Sequence, residues 1–167
     1  NYGGTINMTE RGYRGGYGPG VGGIQSGGSG SGGGHGGQGG QNYRYGNSFE
    51  FDGGLAYDLV LTSSEPGSGG GSTSDGEGGG LAIINVTDTL IINGSIMASG
   101  DNGIPTHKAG GSGGSVNIIT NKFTGNGTIR TAGGNGDTRG GGGAGGRIAV
   151  YFITSTFNGI ITTPAGA

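Results

Sequence analysis

Four asparagines of this chain stand in the Asn-X-Ser/Thr pattern that N-glycosylation requires, and they carry the clearest chemical signal in the sequence. They are Asn7, Asn85, Asn93 and Asn126. Composition alone predicts roughly two such matches by chance, so the place of each asparagine in the chain is needed to judge whether it is a glycosylation site. Asn93 and Asn126 each precede a glycine at the same point of two similar segments, where a glycan would project into solvent. We therefore expect at least one N-linked glycan, which would place the protein on the secretory route.

Other catalytic and metal-binding patterns are weak. His35 and His107 each stand in glycine-rich sequence without a second ligand at a useful spacing. The segment 133–137, Gly-Gly-Asn-Gly-Asp, resembles a calcium-binding repeat but has its aspartate one position early and occurs once. Gly-X-Gly-X-X-Gly arises by chance in so glycine-rich a chain, and no Gly-Lys-Ser/Thr sequence is present. We predict no catalytic residue, no metal, no cofactor and no enzymatic activity.

Tyrosines and arginines cluster near the start of the chain, at 11–17 and 43–45. Such clusters occur in RNA-binding segments, where the aromatic rings stack on bases. Here eight basic residues face ten acidic ones and the net charge is −2, so we expect no nucleic-acid partner. The tyrosines would instead cover glycine-rich segments or pack between chains. No apolar stretch approaches 18 residues, so we expect no membrane insertion.

The elements that must position these residues are predicted from composition. Of the 167 residues 50 are Gly and only 4 are Pro, which excludes collagen and helical proteins. The 30 residues of Leu, Ile, Val and Phe are few for a packed core, but 20 of them fall within 81–98, 116–129 and 148–161. Because Ile outnumbers Leu by 15 to 5, these segments are predicted to be strands.

The three strand-rich segments also repeat. Their Asn-Gly pairs, at residues 93, 126 and 158, are 33 and 32 residues apart. One unit consists of a strand, an Asn-Gly turn, a second strand and a glycine-rich excursion, and the turn is either a hairpin or a corner. Residues 4–8 resemble the second strand of such a unit. Alternating apolar residues over 49–62 predict a fourth strand-rich unit.

Glycine tracts at 15–40, 67–80, 109–114 and 133–146 separate the strands. Flexible linker is one interpretation of such sequence. The other is ordered packing, because Gly27, Gly30, Gly33, Gly36 and Gly39 keep the period of three of a threefold extended helix, polyglycine II. Long structureless loops are uncommon inside a compact domain, which favours packed tracts.

Three segments give the chain a family resemblance: GGSGGSVNI at 110–118, GNGTIRTAGG at 125–134 and GGAGGRIAVY at 142–151. This pattern resembles the glycine-rich β-repeats of large extracellular and cell-surface proteins of algae, plants and other eukaryotes. The resemblance covers about 110–152, with a fainter echo over 80–104. It implies a structural or adhesive role in an extracellular assembly, with no catalytic residues.

Together these patterns predict one domain, 1–167, of the all-β class, with solenoid-like or layered β-sheet repeats of about 33 residues and polyglycine II-like excursions. The predicted function is that of a glycosylated structural subunit of an extracellular fibre or surface coat, which assembles with identical subunits through strand edges and glycine-tract packing. The alternative is a monomeric surface-binding module, either an adhesin or an ice-binding protein. The candidate assembly residues lie near the two termini: Thr5, Ile6, Ile160 and Ile161.

Overall fold

A computed structural model describes residues 3–24, 29–43, 51–71, 75–104 and 108–167, and eight β-strands form the framework of this part of the protein. The described residues contain no helix. The strands are β1 (Thr5–Asn7), β2 (Leu81–Ile91), β3 (Ser95–Met97), β4 (Ser115–Gly125), β5 (Thr128–Arg130), β6 (Arg147–Tyr151), β7 (Thr154–Phe157) and β8 (Ile160–Thr162). The predicted glycine tracts 15–40 and 67–80 lie partly outside the described residues. His107 is also not among the described residues.

The strands pair into two parallel sheets. The short-strand sheet has the order β1-β3-β5-β8, and the long-strand sheet has the order β2-β4-β6, with β7 continuing along β4 beyond β6. Each Asn-Gly pair therefore joins strands of different sheets, so the turn is a corner and not a hairpin. Because parallel neighbours cannot be joined by a tight turn, each strand returns to its neighbour through a glycine tract.

The register keeps equivalent residues of successive units side by side. Ser95 pairs with Thr128, and Thr128 pairs with Ile160. Between β2 and β4 the register shifts between Val86 and Thr89, where β2 carries one extra residue. The carbonyls there accept hydrogen bonds from the partner strand, with Thr120 Oγ1 donating to Asp88 O at 3.0 Å and Asn121 Nδ2 donating to Thr87 O at 2.6 Å.

The core lies between the two sheets. It contains Val116, Ile118 and Phe123 from β4 together with the inward residues of the short strands, Ile96 and Ile129. Phe123 stacks on Phe157 with ring centroids 4.4 Å apart. The apolar residues that are scarce in the whole chain are thus concentrated where two sheet faces meet, which lets a small number of them form a continuous core.

The glycine tracts pack against one another through backbone hydrogen bonds. The tract 109–114 is central and exchanges such bonds with six other segments: 30–40, 67–71, 76–80, 98–103, 131–136 and 140–146. A side chain would prevent this approach, because a Cβ built on Gly110, Gly111, Gly113 or Gly114 would lie 1.9 to 2.3 Å from a neighbouring carbonyl oxygen. Absence of side chains is therefore what lets the backbones satisfy one another's polar groups in this region.

The predicted solenoid of repeats is wrong. The strands form two parallel sheets in a layered arrangement. After β1 the described residues up to 80 add no further strand to either sheet, and they supply extended segments that bond to the glycine tracts. The periodicity of the C-terminal half therefore does not extend through the chain as coils of one repeat.

The strand-rich unit predicted over 49–62 is also wrong for residues 51–62, which contain no strand; residues 49 and 50 are not among those described. The apolar side chains of Leu55, Leu59, Val60 and Leu61 are exposed rather than paired across a sheet face. Asp58 breaks the extended backbone with a φ of 66°. Its carboxylate accepts the backbone N–H groups of Leu59 and Ser64, which folds the segment into a loop.

Candidate functional site

The two ends of the paired sheets differ in shape. At one end β8 closes the short-strand sheet and β6–β7 closes the long-strand sheet; β7 leads directly into β8, so both sheets stop at the same level. We call this the flush end. At the other end β3 follows directly from β2, and β1 pairs beyond β3, so the short-strand sheet extends one strand further than the long-strand sheet. We call this the staggered end.

The flush end is uncharged and exposes isoleucines together with the hydroxyl side chains of Thr154, Ser155 and Thr156. From Ile148 to the last residue the chain has no charged side chain. Ile153 is 77% exposed and Ile160 is 59% exposed. Among the described residues, β6 and β7 pair only with β4, and β8 pairs only with β5, so the opposite edge of each strand is unpaired. Natural sheets protect such edges with charged side chains, prolines or covering loops, and this edge has no charged side chain.

The staggered end contains an open groove of about 590 Å³. It lies where a strand next to β2 would face β1. Apolar side chains of both sheets line it, among them Ile6, Ile84, Leu90 and Ile96, and the lining contains no charged residue. The inter-sheet core is therefore open to solvent at this end.

The four predicted assembly residues lie at opposite edges of the short-strand sheet. Thr5 and Ile6 belong to β1, and Ile160 and Ile161 belong to β8. An inward row of isoleucines crosses the sheet through the pairs Ile6–Ile96, Ile96–Ile129 and Ile129–Ile161. The similarity of residues 4–8 to the second strand of a unit is confirmed by the pairing of β1 with β3. The structure does not bring the two pairs of candidates together within one chain.

All four sequon asparagines are exposed. Asn93 and Asn126 occupy the corners after β2 and β4. Asn7 Oδ1 accepts the backbone N–H of Thr9 at 3.0 Å, and the Thr9 hydroxyl is buried without a hydrogen-bond partner. At the first corner, the Ser95 hydroxyl of the Asn93 sequon shares a hydrogen bond with the Thr5 hydroxyl of β1, with the two oxygens 3.3 Å apart.

A buried polar cluster joins the glycine tracts to the outer face of the long-strand sheet. His35 is fully buried, and its Nδ1 lies 2.7 Å from Gly113 O. Its Nε2 lies 3.4 Å from Ser115 Oγ and 3.5 Å from Asp58 Oδ2. The imidazole stacks on Tyr57 with centroids 4.7 Å apart. Arg147 Nη2 donates to Tyr57 O at 2.8 Å and to His35 O at 3.3 Å.

The charge state of the cluster follows from its burial. Burial lowers the pKa of His35 despite the opposing effects of Gly113 O and Asp58, and the Arg147 charge lowers it further. Burial alone would raise the pKa of Asp58, but the hydrogen bonds from the N–H groups of Leu59, Glu65 and Ser64 outweigh it and lower that pKa. Burial also raises the pKa of Tyr57.

This arrangement differs from a catalytic serine–histidine–aspartate relay. In a relay the serine and the carboxylate contact opposite nitrogens of the imidazole, whereas here both contact Nε2 and Nδ1 lies against a backbone carbonyl. With its proton on Nδ1, His35 donates to Gly113 O and can accept from Ser115. The cluster therefore fixes the loop around Asp58 and the tract around His35 onto β4 and β6.

This cluster was not predicted from the sequence. In the sequence His35 is an isolated histidine without a second ligand, and its partners in the structure come from positions 58, 113, 115 and 147. No spacing in the sequence connects these positions. The position of a lone histidine among glycines, in the run Gly-Gly-Gly-His-Gly-Gly at 32–37, is the one sequence feature that could have drawn attention to it.

The part of the chain that the structure describes has neither a metal-binding cluster nor a membrane-spanning helix. No group of three or more His, Cys, Asp or Glu side chains there could hold a metal ion. Nor do those residues include a helix with the length and apolarity to cross a membrane.

Comparison of the chain with protein-family models, with curated proteins and with solved structures gives no match. The functional interpretation therefore depends on the geometry of the two sheet ends.

Proposed function

We propose that this protein is a structural subunit of an extracellular fibre or surface coat and that copies join end to end through the edges of their sheets. The observation that carries the proposal is the pair of open sheet ends, where the described residues leave strand edges unpaired and isoleucines exposed. Contact between the flush end of one copy and the staggered end of another is heterologous. Such contacts generate a filament unless rotation closes a ring.

The short-strand sheet supplies the joint. Pairing β8 with β1 of the next copy in the same parallel register would set Ile161 beside Ile6 and continue the inward isoleucine row. Three residue pairs provide roughly three ladder hydrogen bonds, worth about 1 kcal/mol each. Burial of Ile6, Ile160 and Ile161 adds the hydrophobic contribution.

The chemical character of the rest of the surface supports a structural role. The one buried polar cluster discussed above is closed to a substrate by its own packing, since His35 and Ser115 are fully buried. A net charge of −2 offers no attraction to nucleic acid. The exposed sequons fit an extracellular location, and the glycine-rich repeat pattern fits the surface proteins that it resembles.

Negative-stain electron microscopy and sedimentation over a range of concentrations test the proposal. We expect concentration-dependent filaments from the unmodified protein and loss of filaments in Ile161→Lys, which puts a charge into the joint. Ile119→Lys is the matched control, because Ile119 is 47% exposed but lies on β4 in the middle of its sheet. A protein that stays monomeric at every concentration would contradict the proposal, and slowed ice growth or carbohydrate binding by that monomer would favour a surface-binding module instead.

A further inference from the structure

The groove at the staggered end has the dimensions of one missing strand. The short-strand sheet reaches one strand beyond β3, to β1, whereas the long-strand sheet stops at β2. Adjacent strands in a sheet lie about 4.8 Å apart, so the position opposite β1 and next to β2 is one strand wide. The groove described above occupies this position.

The walls of the groove present what a strand would need. Among the described residues β2 pairs only with β4, so its other edge offers a row of backbone donors and acceptors. Ile84 and Leu90 from β2 and Ile6 from β1 would contact the inward side chains of an added strand. Two rows of apolar side chains cross the long-strand sheet toward this edge, through Ile84, Ile118 and Val150 and through Ala82, Val116 and Ile148.

The flush end of a second copy cannot fill the groove. Its β6–β7 strands and its β8 end at the same level. If its β6–β7 paired with β2, its β8 would coincide with β1, which already occupies that place beside β3. The joint between β8 and β1 avoids this clash, but it leaves a gap of one strand in the long-strand sheet between β2 of one copy and β6–β7 of the next.

We propose, building on the end-to-end joint described under the proposed function, that this groove binds a single extended strand donated by another polypeptide. The strand runs parallel to β2 and has uncharged apolar residues, such as Ile or Val, at alternate positions. Main-chain hydrogen bonds to β2 provide affinity, and the apolar pockets around Ile84 and Leu90 select the alternate side chains. In a filament the same strand would pair with β2 on one side and with β6–β7 of the next copy on the other.

A labelled synthetic peptide with the β4 sequence, residues 115–125, is the probe, because β4 is the parallel neighbour of β2 within the protein. We expect saturable binding by fluorescence anisotropy. Ile84→Lys should weaken it about tenfold or more, because an unpaired charge would be buried under the added strand. Ile83→Lys is the matched control, since Ile83 is the adjacent residue of the same strand, is 62% exposed and does not line the groove.

Two further measurements fix the site and orientation. Of two peptides N-methylated on alternate residues, only the one that keeps the N–H groups facing β2 should bind. A spin label at the peptide N-terminus should broaden the amide resonance of Leu81 rather than that of Ile91, because the strands are parallel. If Ile84→Lys does not fold, Ile6→Lys tests the opposite wall of the groove, where Ile6 is 46% exposed.

Absence of saturable binding, or equal binding by the Ile83 and Ile84 variants, would overturn the strand site. Filaments formed by a protein that binds no peptide would overturn it too and leave the proposed function standing. Saturable, Ile84-dependent binding by a protein that never forms filaments would support the strand site and contradict the proposed function.

Discussion

At the scale of single residues, the cluster around His35 shows how few side chains fasten the glycine-rich half of the chain to the sheets. Each contact joins a loop or tract to a strand: His35 to Ser115 on β4, and Arg147 on β6 to the carbonyls of Tyr57 and His35. The tracts have few side chains of their own to pack, and those that are buried are small, such as Ser68, Ser112 and Ala109. Loss of this cluster should therefore undock the loop around Asp58 as well as remove a few hydrogen bonds.

The cluster predicts that the protein loses stability in acid. The lowered pKa of His35 means that below its ordinary value of 6.5 the unfolded chain binds a proton that the folded chain does not, so the free energy of unfolding falls as pH falls. The lowered pKa of Asp58 acts in the same direction below its ordinary value of 3.8. Urea unfolding at pH 7.5 and pH 5 measures the change in the free energy of unfolding. Burial raises the pKa of Glu77 above its ordinary value of 4.5, which acts in the opposite direction near pH 5, so a variant at position 35 is needed to separate the two contributions.

The variant His35→Gln isolates that contribution. It should be less stable than the unmodified protein at pH 7.5, because a buried packing group is lost, but its stability should change less between pH 7.5 and pH 5. Asp58→Asn serves as the comparison, since it leaves His35 in place. Equal pH dependence of the His35→Gln variant and the unmodified protein would show that His35 does not cause the acid sensitivity.

At the scale of elements, the glycine tract 109–114 packs against its neighbours directly through its backbone, whereas strands in a core pack through their side chains. The tract 109–114 has six neighbours, and its glycines are directed at different ones of them. In a sheet, by contrast, a strand has two hydrogen-bonded neighbours. The tract therefore ties together segments that lie far apart in the sequence.

Substitution of a central glycine should be costly, and substitution of a peripheral one should not. A Cβ on Gly113 would lie 2.3 Å from Thr131 O and 2.5 Å from Gly146 N, both backbone atoms that cannot turn away. Gly113→Ala should lower the free energy of unfolding by about 2–3 kcal/mol or more. Gly37→Ala is the control, because a Cβ there meets nothing within 4 Å, and its effect should stay within about 0.5 kcal/mol. Urea denaturation of both variants measures the change in the free energy of unfolding. Equal changes in the two variants would mean that the tract rearranges to accommodate the added methyl group.

The sequence predicted those elements that depend on local pattern and missed those that depend on long-range contacts. Strands β2 to β8 match the isoleucine-rich segments 81–98, 116–129 and 148–161 to within one residue at each end of a segment, because β-branched alternation is a local property. The same alternation at Leu55, Leu59 and Leu61 was misleading, since the hydrogen bonds of Asp58 fold that segment into a loop. The pairing of β1 with β3 spans 90 residues, and its consequence, the one-strand stagger, follows from the sheet order and not from any motif.

At the scale of the whole molecule, the ends and the flanks have different chemistry. Among the described residues the ends carry the unpaired strand edges and the exposed isoleucines. The corner with Asn126 lies along a flank, between neighbouring strands, and the corner with Asn93 lies on the same flank at the rim of the groove. A polymer that grows at its ends can carry bulky, solvated groups on such a flank without blocking growth. Where a glycan covers the surface, charged side chains are not needed to keep that surface soluble.

This separation predicts that the corner glycans can be removed without loss of assembly. Expressed in a secreting eukaryotic host, the protein should carry N-linked glycans at Asn93 and Asn126, because both are exposed at the corners. Ser95→Ala with Thr128→Ala removes both sequons and keeps both asparagines, and Ser95→Thr with Thr128→Ser is the matched control that retains them. Intact mass before and after glycosidase treatment should shift for the control and not for the alanine variant, while both form filaments of the same subunit spacing. An unshifted mass in the control would dispose of glycosylation at the corners, and loss of filaments in the alanine variant alone would mean that the glycans, or the two hydroxyls, take part in the joint.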